Sequence, residues 1–151
     1  MHEVVGYALL MFIAVAIVSA CAITSYTLQS SVARETLLLE SERIVNYVID
    51  EILHGYSLVS SSPTARVTIS LDLPTNIRGY TYILKLGSSD GTHTVALTIP
   101  DRDISVNKTI VNTLPQTLIM DGQIDSSMLI RSYAYLMITS STIILNTTQV
   151  S

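Results

Sequence analysis

Val4-Val5-Gly6-Tyr7-Ala8-Leu9-Leu10-Met11-Phe12-Ile13-Ala14-Val15-Ala16-Ile17-Val18-Ser19-Ala20-Cys21-Ala22-Ile23-Thr24-Ser25-Tyr26-Thr27-Leu28 carries no charged side chain. The first cation after it is Arg34. About 20 apolar residues cross the roughly 30 Å hydrocarbon layer of a bilayer as a helix, so this run is long enough to span one. The pattern does not stop where a membrane would. No proline occurs before Pro63 and the only earlier glycines are Gly6 and Gly55, so few residues interrupt the helix. The run predicts a continuous helix over residues 3–54, near 80 Å long at about 1.5 Å per residue, with Gly55 as its C-cap. A rod of that length must bury its surface against other chains.

From residue 34 the apolar positions become one-sided. Leu37, Leu38, Ser41, Ile44, Val45, Val48 and Ile52 recur at three- and four-residue spacing, while Glu35, Glu42, Asn46 and Asp50 lie elsewhere on the wheel. This stripe is expected to cover the chain's own C-terminal domain. After a polar hinge at 57–64 the period changes to two: Val67, Ile69, Leu71 and Leu73 alternate with Arg66, Thr68, Ser70 and Asp72. Further strands are predicted at 79–86, 92–99 and 104–112, with one or two more within 128–146. Ser88-Ser89-Asp90-Gly91, Pro100-Asp101-Arg102-Asp103 and Met120-Asp121-Gly122-Gln123 read as turns. The expected fold is α+β: one long hydrophobic helix, then a small antiparallel β-sandwich or barrel. The expected division is a helix at 1–55, apolar over 1–33 and amphipathic over 34–55, followed by a β domain at 56–151.

With 151 residues, of which 48% are hydrophobic, the chain can bury one small core beside the helix. Lys85 and Lys108 are the only lysines and the net charge is −4, so the basic stripe of a nucleic-acid binder is absent. Serine and threonine make up nearly a quarter of the chain and Cys21 is the single cysteine. That composition suits an extracellular surface held by packing, without disulfides.

Catalysis has little support. His2, His54 and His93 fall in three different predicted elements, and no metal, phosphate-loop or nucleophile-elbow motif occurs. Neither an enzymatic activity nor a cofactor is expected. Val18-Ser19-Ala20-Cys21 has the form of a lipoprotein cleavage box, but the apolar run continues past the cysteine, and Cys21 reads as a small hydrophobe within the helix. Glu3 is the one carboxylate beside the apolar segment. Buried in an assembly it would need a partner, and the free amine of a neighbouring chain is the nearest candidate. Asn107-Lys108-Thr109 and Asn146-Thr147-Thr148 match the N-glycosylation acceptor pattern, which makes Asn107 and Asn146 candidate glycan sites on an outward-facing domain.

The apolar helix beginning Val4-Val5-Gly6-Tyr7-Ala8-Leu9-Leu10-Met11-Phe12-Ile13-Ala14-Val15-Ala16-Ile17-Val18, the amphipathic extension and the β domain together resemble an archaeal type IV pilin or its relative, the archaeal flagellin. Residues 73–82 are also similar to a strand-turn-strand stretch of archaeal pilin-like proteins. The resemblance implies cleavage of a short basic leader by a prepilin peptidase just ahead of Met1, membrane insertion before assembly, and a helical homopolymer built by pilus assembly machinery. It implies an extracellular filament used in adhesion, with the helix inside and the β domain outside. Val4, Val5, Tyr7, Leu9, Leu10, Phe12, Ile13, Val15, Ile17, Val18, Ile23 and Leu28 are then the assembly residues. Bacterial type IV pilins carry their glutamate at the fifth mature position, where this chain has Val5, with Glu3 two places earlier. They also break the helix midway and close a C-terminal disulfide loop, neither of which this sequence allows. Two alternatives are an archaellum-type rotating filament and a monomeric membrane-anchored tether whose β domain binds a ligand.

Overall fold

The computed structural model describes residues 2–62, 64–111 and 113–149, with side chains described for all of these but 2–5 and 8. The expected α+β arrangement is present. A single helix, α1 (His2–Val59), is followed by seven strands: β1 (Arg66–Leu71), β2 (Ile83–Ser89), β3 (Thr92–Ile99), β4 (Ile104–Ile110), β5 (Ile119–Asp125), β6 (Ser132–Thr139) and β7 (Thr142–Gln149). Short 3₁₀ turns at Pro100–Arg102 and Ser126–Ile130 punctuate them. The chain divides into two compact units, Met1–Thr36 and Leu37–Ser151.

The second unit contains the core. Leu37, Ser41, Val45, Val48, Ile52, Gly55 and Val59 form one buried stripe along its part of α1, the three- and four-residue spacing that keeps one face inward. Fully burying a valine or isoleucine contributes roughly 1.5–3 kcal/mol, so this stripe fastens the helix to the sheet. The strands answer with period-two burial: Leu84 and Leu86, Val95, Leu97 and Ile99, Leu136 and Ile138, Ile143 and Leu145 all point inward. The opposite sheet face, rich in threonine and serine, is open to solvent.

The helix ends at Val59, four residues beyond the expected cap at Gly55. A Cβ at Gly55 would lie 2.3 Å from Ile138 Cδ1 and 2.6 Å from Ile69 Cδ1. This glycine permits close approach of helix to sheet instead of stopping the helix. Polar ties lie around the same contact: Lys108 Nζ donates to Asn46 Oδ1 at 3.0 Å, the Asp72 backbone N–H donates to Tyr47 Oη at 3.2 Å, and Arg78 Nε meets Glu40 Oε1 at 2.9 Å. Residues 40–55 of the helix thus touch β1, β6 and β4, strands from both edges of the sheet.

The strand order is β1-β6-β7-β5-β2-β3-β4, all antiparallel except β5 with β7. Residues 120–123, expected as a turn, belong instead to β5. Ile119, Met120 and Asp121 pair with Thr142, Ile143 and Ile144 of β7, whereas Gly122 to Asp125 pair with β2. Gly122 is where β5 leaves one ladder for the other, at φ +135°, and a Cβ there would sit 2.3 Å from Leu145 O. The expected strand at 79–86 begins only at Ile83. Before it, Ile77 and Tyr80 exchange both backbone hydrogen bonds around Arg78 (φ +50°) and Gly79 (φ +86°), a two-residue turn of the type I′ kind.

Candidate functional site

The unit Met1–Thr36 has no core of its own to bury its side chains. Every side chain described from Gly6 to Glu35 is exposed, although the apolar ones include Tyr7, Leu9, Leu10, Phe12, Ile13, Val15, Ile17, Val18, Ile23 and Leu28. Ile13 is the least exposed of these at 48% and Phe12 the most at 81%. Met11, Tyr26 and Val32 share the surface; they lie inside or beside the uncharged run and were legible from hydropathy alone. The side chains of Glu3, Val4 and Val5 lie outside the described residues, so the expected pairing of Glu3 does too. Contiguous exposed apolar area of this extent on a soluble monomer marks a protein or membrane contact. The helix is long and apolar enough to cross a membrane, with none of its most apolar window buried by the rest of the chain.

Five hydroxyls of this segment are self-contained. Thr24 Oγ1 donates to Ala20 O at 2.8 Å, Thr27 Oγ1 to Thr24 O at 2.9 Å, Ser30 Oγ to Thr27 O at 2.9 Å, Ser31 Oγ to Leu28 O at 2.9 Å and Thr36 Oγ1 to Val32 O at 2.7 Å. Such back-bonding satisfies a hydroxyl within its own helix. Moving this surface into lipid or against other helices therefore leaves these five donors satisfied.

The remaining singled-out residues are distributed as follows. Cys21 is a free thiol on the exposed helix surface. His93 is buried, its Nε2 3.0 Å from Pro115 O and its Nδ1 3.2 Å from Ser88 Oγ, which ties the 113–118 loop to the β2–β3 hairpin. His54 is exposed on α1. Among the described residues no three His, Cys, Asp or Glu side chains gather as metal ligands. Asn107 on β4 and Asn146 on β7 are exposed, on the solvent side of the sheet. Sequence reading passed over Tyr82, whose fully buried ring donates its hydroxyl to Pro74 O at 2.6 Å. Burial pushes its ionisation far above the ordinary tyrosine range.

Residues 1–131, spanning α1 through Arg131, match the signature of a family of unknown function, DUF7266. The chain belongs to DUF7266. The match thus covers the exposed helix and β1 to β5, and the β6–β7 hairpin follows it. Neither a curated protein nor a solved structure matches this DUF7266 chain significantly.

Proposed function

We propose that this chain is the structural subunit of an extracellular filament of the archaeal type IV pilus kind, assembled through its N-terminal helix and used in adhesion. The observation that carries the reading is the uncharged surface of residues 4–28, exposed at every position whose side chain is described. A helix with this surface is stable only in a bilayer or among other apolar helices, and a subunit of this kind would occupy the two in turn. Each fully buried Leu or Ile contributes roughly 1.5–3 kcal/mol, so a helix surrounded by several copies yields a polymer that resists dissociation. The self-satisfied hydroxyls of residues 24–36 suit either environment.

The β domain would form the outer coat, with Asn107 and Asn146 facing the medium and available to glycans. Processing by a prepilin peptidase belongs to the same reading. Electron microscopy of surface material sheared from cells is the test: filaments containing this chain that pellet without detergent are expected. Quantitative extraction as a monomer in mild detergent, with no filaments in the sheared fraction, would replace this reading with that of a membrane tether.

A further inference from the structure

The two edges of the sheet are not equally protected. Strand β4 lies at one edge, where Ile104, Val106 and Ile110 face the core. Lys108 falls on the same face by strand parity and donates to Asn46 of α1. An inward-pointing lysine on an edge strand discourages pairing with a foreign strand. Strand β1 lies at the other edge, paired with β6 alone among the described residues. Between Arg66 and Asp72 it carries no charge, proline or glycine. Val67 and Ile69 point toward the core yet remain only partly buried.

We propose that β1 pairs with β1 of a second copy across a two-fold axis. The sequence Arg66-Val67-Thr68-Ile69-Ser70-Leu71-Asp72 is complementary to itself in reverse. Antiparallel pairing centred on Ile69 sets Arg66 opposite the second copy's Asp72, Val67 opposite Leu71, Thr68 opposite Ser70, and Ile69 opposite Ile69. Directly opposed residues share a face of an antiparallel sheet. Val67, Ile69 and Leu71 therefore meet on the core face, while the hydroxyl and ion pairs meet outside. The charge pair occurs twice, as in any isologous contact. Among the described residues neither Arg66 nor Asp72 has a charged partner within its own chain; the Arg66 guanidinium rests on Met137 Sδ. The pairing joins two seven-stranded sheets edge to edge and completes the cover over Val67 and Ile69.

A two-fold contact closes on a pair, whereas the contact between successive copies of a head-to-tail filament repeats along it. If the filament reading holds, this contact joins neighbouring filaments; the pairing itself does not depend on that reading. The test is the oligomeric state of the full chain in dodecyl maltoside micelles, measured by sedimentation velocity across a concentration series. A dimer is expected, with its dissociation constant raised roughly tenfold or more by Arg66→Glu or by Asp72→Arg alone. The combined Arg66→Asp and Asp72→Arg variant should return to within about threefold of the original value. Thr68→Lys, which places a charge on the exposed edge, should give monomers with an unchanged far-UV spectrum. A chain that is monomeric throughout, or a dimer indifferent to all these changes, overturns the proposal. A dimer abolished by Ile17→Asp but not by the β1 variants assembles through the helix, which also refutes edge pairing while leaving the filament reading intact.

Discussion

Replacing Gly122 with alanine should be among the most damaging single changes available in the β domain. The substituted Cβ would fall 2.3 Å from Leu145 O and 2.8 Å from both Leu145 N and Leu145 Cβ. Two of those three atoms are backbone, so no rotamer change can relieve the clash. The residue must also hold φ +135°, which costs an L-amino acid about 1–3 kcal/mol. Forcing extra volume into a packed site adds about 1–3 kcal/mol, for a total of about 2–6 kcal/mol. Against the roughly 5–15 kcal/mol that holds a typical domain together, that is a large fraction. Urea unfolding of the full chain in micelles provides the assay. The chain has no tryptophan, and near-ultraviolet tyrosine circular dichroism follows the ring of Tyr82 in the core. At a mid-range slope of about 2 kcal/mol per molar urea, the midpoint should fall by about 1–3 M. Gly55→Ala provides the contrast: its obstacles are the Cδ1 ends of Ile138 and Ile69, which can move, and alanine recovers about 1 kcal/mol of helix propensity. A Gly122→Ala loss below about 1 kcal/mol, or one no larger than that of Gly55→Ala, would refute the claim that β5 must pass this close to β7.

Val15→Lys or Ile17→Asp should abolish filaments, since a charge at the centre of an apolar helix costs about 2.5–3.5 kcal/mol even on insertion into a bilayer; filaments of normal number in either variant would exclude residues 4–28 as the polymer core. For Tyr82, burial favours the neutral hydroxyl, so the folded chain keeps this proton to higher pH than the unfolded chain does. The resulting stabilisation is fully present below the ordinary tyrosine value of about 10 and is lost as pH rises above it. Tyr82→Phe should cost about 1 kcal/mol near neutrality and narrow its deficit progressively above pH ~10; a deficit constant through that range would show the hydroxyl ionises no differently on folding. Intact-mass measurement of chains purified from their native source should exceed the 16.5 kDa of the bare polypeptide, with Asn107→Gln and Asn146→Gln each removing its own share. A mass equal to the bare chain would sink the glycan assignment.

The helix and its two regimes were legible because charge and periodicity act locally: residues 4–33 contain no Asp, Glu, Lys or Arg, and Leu37 through Ile52 repeat at helical spacing. The alternation at 66–73 likewise betrays a strand with one buried face. Glycine was the ambiguous letter. Gly55 read as a helix stop and Gly122 as a turn, yet both sit where another element comes too close for a Cβ. The sequence spells a turn and a close approach with the same residue, and only the partner distinguishes them. The partners themselves are set non-locally: nothing in residues 119–121 announces parallel pairing with 142–144. At the candidate site, the apolar character of Tyr7 to Leu28 was evident, and the length of the rod already pointed to cover from outside the chain; the structure adds the reason the chain's own domain does not supply it. An equally apolar helix can be the core of a globular domain, and what decides is that the sheet's inner face is already occupied by Val45, Val48 and Ile52.

The back-bonded hydroxyls of Thr24, Thr27, Ser30, Ser31 and Thr36 bear on mechanics. Directional bonds between neighbouring helices would peg each one to a fixed axial position, because sliding by a single residue would break them. Here those donors are committed within their own helix, and at these five positions contact with a neighbour reduces to area and shape. Contact area varies little as one smooth rod slips along another. An assembly cemented through this segment would yield under tension by letting its subunits glide before any of them separates, much as a plied yarn lengthens before any fibre snaps.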